Sequence, residues 1–113
     1  MRTNFQMQDQ NITMVKGDTL AFNVEVYDEN YDPIEVTSAF MTCKKMPTSE
    51  EYVFQKSLGD GITQQDSLMT VRVAPADTAE TDAGEYYFDF QIGFDNDVFT
   101  IMRGILSLEQ NVT

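Results

Sequence analysis

The chain contains no histidine. With it go the commonest general base, the commonest zinc ligand and every Ser-His or Cys-His nucleophile pair. The sharpest remaining candidate nucleophile is Cys43, the single cysteine, in the run Met41-Thr42-Cys43-Lys44-Lys45. A reactive thiol needs a cation beside it to hold the thiolate. Successive strand residues point to opposite faces, so only one flank of Cys43 can supply that help. Its phase with Met41 reads instead as a small core hydrophobe. Two carboxylate clusters, Asp28-Glu29-Asn30 with Asp32 and Asp95-Asn96-Asp97, offer oxygen ligands on loops. Neither has the spacing of an EF-hand loop, and Asp and Asn are the ordinary residues of turns. A glycosidase needs two carboxylates across a cleft. With 19 acidic residues such a pair can be nominated anywhere, so it carries no signal. No glycine-rich phosphate loop follows a strand. The expectation is a protein that is not an enzyme, with no catalytic residue, no metal and no cofactor.

Composition bounds the partners. The chain has 113 residues and a net charge of -12, from 19 acids against 7 bases. Nucleic acid and anionic lipid both demand clustered cations, so neither is an expected partner. One cysteine permits no intrachain disulfide, which points to synthesis in a reducing cytoplasm. The start, Met1 to Gln6, has no apolar core of a signal peptide, and no apolar run is long enough to span a membrane. The length suits one domain over residues 1–113, with residues 1–10 as a flexible arm.

Any functional residue must be positioned by strands, because the hydrophobic period is two almost throughout. Strands are expected at Ile12 to Val15, from Leu20 through Val26, Ala39 to Lys45, Tyr52 to Lys56, Leu68 to Val73, from Tyr86 through Ile92, and Val98 to about Glu109. Turns fall at Lys16-Gly17-Asp18, Asp28 to Pro33, Pro47-Thr48-Ser49, Gly59-Asp60-Gly61 and Asp95-Asn96-Asp97. Ala76 to Asp82 reads as a short helical turn or loop. Phe22, Val24, Phe88, Phe90 and Ile92 are expected in the core, with Met41, Met69 and Met102 as fillers. In the last strand Phe99 and Ile101 sit in one phase and Leu106 and Leu108 in the other, which predicts a bulge or bend at Gly104. The fold class is all-β: an immunoglobulin-like antiparallel β-sandwich of about seven or eight strands.

Asp82-Ala83-Gly84-Glu85-Tyr86 has the form D-x-G-x-Y ahead of the most regular strand. It resembles the tyrosine corner of immunoglobulin-like domains, in which the tyrosine hydroxyl bonds back to the upstream chain. That gives Asp82, Gly84 and Tyr86 a structural role. The cysteine that follows two residues later in antibody domains is Phe88 here, and no tryptophan exists, so apolar packing alone holds the layers. Tyr27, Tyr31, Tyr52 and Tyr87 lie in turns or off the core phase and are candidate interface residues, for protein or for a sugar ring.

From Val15 to Thr113 the chain resembles small immunoglobulin-like β-sandwich proteins of phages and prophages of Gram-positive gut bacteria. It is more loosely similar to the N-terminal domain of the phage baseplate upper protein. The matching pieces are Lys16-Gly17-Asp18-Thr19, Asp32-Pro33-Ile34, Val73 to Thr78, Gly84 to Asp89 and Gly104 to Leu108. The resemblance implies a virion part made in the bacterial cytoplasm, at the tail or baseplate, assembling with other phage structural proteins or with itself. It carries over no catalytic residue. Baseplate proteins of that kind continue into helical and receptor-binding regions; this chain ends at Thr113, which implies a free-standing adaptor, decoration protein or small fibre component. The rival expectation is a carbohydrate- or protein-binding module of a bacterial surface or secreted protein.

Overall fold

The computed structural model describes residues 8–28 and 30–112. The chain forms β1 (Gln8–Asp9), β2 (Ile12–Val15), β3 (Leu20–Glu25), β4 (Ser38–Lys44), β5 (Phe54–Leu58), β6 (Gly61–Gln65), β7 (Leu68–Val73), the single-turn helix α1 (Pro75–Thr78), β8 (Gly84–Phe94) and β9 (Asp97–Glu109). The fold is all-β. The nine strands belong to one hydrogen-bonded network in the order β1-β9-β8-β4-β5-β6-β7-β3, with β2 also on β9. Two strands beyond the expected set account for the count. One is β1; the other is β6, which follows the Gly59-Asp60-Gly61 turn. The sheet is mixed where an antiparallel one was expected: β1 and β2 run parallel to β9, and β5 parallel to β6. Of the expected arm, residues 1–7 lie outside the described residues, and Gln8 and Asp9 pair with Met102 and Arg103.

Among the described residues the two halves of the sheet are joined by two strand pairs, Ser57 with Gly61 and Leu58 with Ile62. Beyond that link the sheet curls, so that both halves share one core. Ala39, Met41, Cys43, Phe88, Phe90, Ile92 and Leu106 from one half join Ile62, Met69, Val71 and Val73 from the other. Phe22 and Val24 are half-buried against this cluster. Burying such a side chain stabilises the fold by about 1.5–3 kcal/mol relative to leaving it exposed.

β8 and β9 form the spine. They are joined by the two-residue turn Asp95-Asn96, whose φ values of 51° and 64° match a type I′ hairpin, a turn that Asp and Asn tolerate. Thirteen residues in β9 at about 3.3 Å each span roughly 43 Å, which sets the longest dimension of 48 Å.

The bulge in β9 is not at Gly104. Phe90 pairs with Met102 and Gln91 with Thr100, so the extra residue is Ile101. One inserted residue restores the inward phase for Leu106 and Leu108, and Ile101 itself stays buried. Gly104 has a different task. A Cβ there would lie 2.0 Å from the Gln10 carbonyl oxygen. β1 and β2 run in one register along the same edge of β9, and the residues between them press against it here: Gln10 N–H donates to the Arg103 carbonyl (2.9 Å), and the Asn11 side-chain oxygen accepts from Ile105 N–H (3.1 Å). Glycine is present because another backbone approaches closely.

Candidate functional site

The outward face of β5, β4, β8, β9 and β1 carries an open groove of about 610 Å³. Its construction follows from strand alternation. On β8, Phe88 and Phe90 point into the core, which leaves Tyr87, Asp89 and Gln91 outside. On β4, Met41 and Cys43 are buried, so Thr42 and Lys44 face out. Register then aligns these side chains across strands. Gln55, Thr42, Asp89, Arg103 and Asp9 are successive partners from β5 to β1. Lys44, Tyr87 and Ile105 form the next row.

Within the groove the Gln55 side-chain amide donates to Thr42 Oγ1 at 3.0 Å, and Arg103 Nε reaches Asp9 Oδ1 at 3.4 Å. The Lys44 ammonium lies 5.7 Å from the centroid of the Tyr52 ring, within cation–π range. Asp89 is half-buried. Burial pushes its carboxyl above the ordinary value, partly countered by the charge of Lys44. It makes no hydrogen bond or ion pair among the described residues.

The four tyrosines expected at an interface divide into two places. Tyr52 and Tyr87 line the groove. Tyr27 and Tyr31 sit together at the end of β3, ring centroids 6.2 Å apart and edge to face. Tyr31 is 83 % exposed and has φ of 64°; Tyr27 donates its hydroxyl to the Glu25 carboxylate, and that bond is the main reason its phenol is held above the ordinary value. The loop between them is closed by Asp28, whose Oδ1 accepts from the N–H groups of Asn30 (2.8 Å) and Asp32 (3.0 Å). Among the described residues no cluster of three or more carboxylate or thiol groups is arranged to hold a metal ion.

Tyr86 is buried at the start of β8. Its hydroxyl donates to the Asp82 carbonyl at 2.6 Å, and Gly84 between them has φ of +149°, a region side chains resist. The Lys45 ammonium caps the ring, 4.7 Å from its centroid. Cys43 is fully buried, and burial pushes its thiol up to about 12. That removes both the access and the thiolate that nucleophilic work requires.

Sequence reasoning named Tyr52 and Tyr87 but not Thr42, Gln55, Asp89 or Arg103. The alternation placed Tyr87, Asp89 and Gln91 on one face. Nothing in it set which residues of other strands stand beside them. No family model matches the chain, and no curated protein matches it in sequence.

Proposed function

We propose that this protein is a non-catalytic structural module of an immunoglobulin-like kind, a part of a phage tail or baseplate that works through contacts with other virion proteins or with copies of itself. The observation that carries this reading is the edge formed by β3. Among the described residues β3 pairs only with β7, so one side of its backbone has no strand partner. Natural edge strands are guarded by lysine, proline, bulges or short length. Leu20–Glu25 is six residues long, pairs with β7 without a bulge, and holds no proline and no charge except Glu25 at its end. Tyr27 and the exposed Tyr31 flank its end. Such an edge accepts a strand from another chain, with main-chain bonds giving affinity. The short D-x-G-x-Y back-bond at Tyr86 and the resemblance along Val15 to Thr113 support the same assignment.

The test is solution mass by size-exclusion chromatography with light scattering from micromolar to millimolar concentration, combined with hydrogen exchange. A discrete trimer or hexamer is expected, with β3 amides protected on assembly. A monomer at every concentration with freely exchanging β3 edge amides would remove self-assembly. The groove with Tyr52 and Tyr87 favours a second reading, a binding module of a bacterial surface or secreted protein.

A further inference from the structure

The groove differs from the rest of the chain in charge. Acids outnumber bases 19 to 7 overall, yet the groove sets Lys44 and Arg103 against Asp9 and Asp89, so its fixed charges cancel. A charged ligand of either sign meets two like charges there. The hydrogen-bonding groups stand in one line, Gln55, Thr42, Asp89, Arg103 and Asp9. With strands about 4.8 Å apart, that line spans roughly 19 Å. It presents amide and guanidinium donors together with carboxylate and hydroxyl acceptors. Alongside it Tyr87 and Tyr52 offer ring faces, 40 % and 54 % exposed.

The main chain here is already used. β4, β8 and β9 are paired on both sides, so a peptide cannot join this face as a strand and recognition must run through side chains. Asp89 supplies the pull. A half-buried carboxylate with no hydrogen-bond donor among the described residues gains from any ligand that brings one. From the cancelled charge, the polar line and the exposed rings we propose that this groove binds a neutral oligosaccharide, with one sugar ring stacked on Tyr87 or Tyr52 and its hydroxyls bonded to Asp89, Arg103 and Gln55. The proposal goes beyond the assembly reading and does not rest on it, since the groove and the β3 edge are different surfaces.

The experiment is an NMR titration of the ¹⁵N-labelled full chain with neutral trisaccharides of glucose, galactose, mannose, rhamnose and N-acetylglucosamine, carried to millimolar concentration. At least one probe is expected to give saturable shifts at the amides of Tyr87, Asp89 and Arg103. Tyr87→Ala and Asp89→Ala should each weaken that binding at least about tenfold, with thermal unfolding preserved because both side chains face outward. Tyr52→Ala, in a loop, gives the same readout if Tyr87→Ala does not fold. Tyr31→Ala, on the distant tyrosine pair, should leave binding unchanged. No saturable shift with any probe would overturn the proposal. So would shifts that survive Tyr87→Ala and Tyr52→Ala, or groove amides that respond only to rising protein concentration, which would make the face a protein contact.

Discussion

Tyr86 is a buried phenol whose hydroxyl bonds to the Asp82 carbonyl at 2.6 Å. Tyr86→Phe keeps the packing and removes that bond, so it should lower unfolding stability by about 1 kcal/mol. Urea denaturation reads this directly, and an unchanged midpoint would mean that the bond holds nothing. Cys43 yields a pH prediction. Its thiol is pushed from 9.0 up to about 12 by burial. Between those values the unfolded chain has lost the proton and the folded chain has kept it. Stability contributed by the neutral thiol is therefore complete below 9.0 and declines as pH rises towards 12. Relative to Cys43→Val the protein should lose stability across that window, and thiol reagents should label the native protein only as fast as it opens. Gly104→Ala drives a methyl group into the Gln10 carbonyl oxygen. We expect β1 to detach from β9, seen as rapid hydrogen exchange at Gln10 and Ile105, with a stability loss of about 1–3 kcal/mol.

At the scale of elements, the small helix α1 does more than its four residues suggest. Lys56 on β5 forms a 2.7 Å ion pair with Asp77, with side chains only 12 % and 19 % exposed. The same Asp77 Oδ2 accepts from Ala74 N–H at 2.7 Å, at the helix start. Buried Thr78 accepts from Gly17 N–H at 2.9 Å, which ties the β2–β3 turn to the helix. The helix thus clamps β5 to the turn at the head of β3, close to the narrow β5–β6 link. Asp77→Ala should cost about 1–3 kcal/mol, and Asp77→Asn less, because an amide oxygen still accepts from Ala74. A double-mutant cycle with Lys56→Met isolates the ion-pair contribution. A coupling near zero would show that the Ala74 bond is the whole effect.

For the whole molecule, the governing quantity is the net charge of -12. Like charges repel in the folded chain more than in the expanded one. Raising ionic strength from about 0.01 to 0.15 M shortens the Debye length from about 30 to about 8 Å, so the thermal midpoint should rise over that range. A flat response would mean that the acids are too dispersed for self-repulsion to matter. The same charge opposes the approach of copies, so the assembly proposed for the β3 edge should strengthen with salt as well as with concentration.

The period-two pattern determined the all-β class, the strands Ile12–Val15 and Leu68–Val73 to the residue, and the inward phase of Phe88, Phe90 and Ile92, because alternation is a property of the chain itself. The turn chemistry at Asp95-Asn96 and the spacing of Asp82, Gly84 and Tyr86 were equally local and equally legible. β6 was not, since Gly61–Gln65 holds one core residue, Ile62, and is a strand only because β7 and the end of β5 lie beside it. The change of phase between Ile101 and Leu106 predicts a bulge or bend at Gly104, which lies between them; only the pairing with β8 assigns the inserted residue to Ile101 and leaves Gly104 to the close approach of Gln10. The groove belongs to the tertiary structure altogether. Thr42, Asp89 and Arg103 are scattered in sequence, and cross-strand register, which no single strand encodes, sets them side by side.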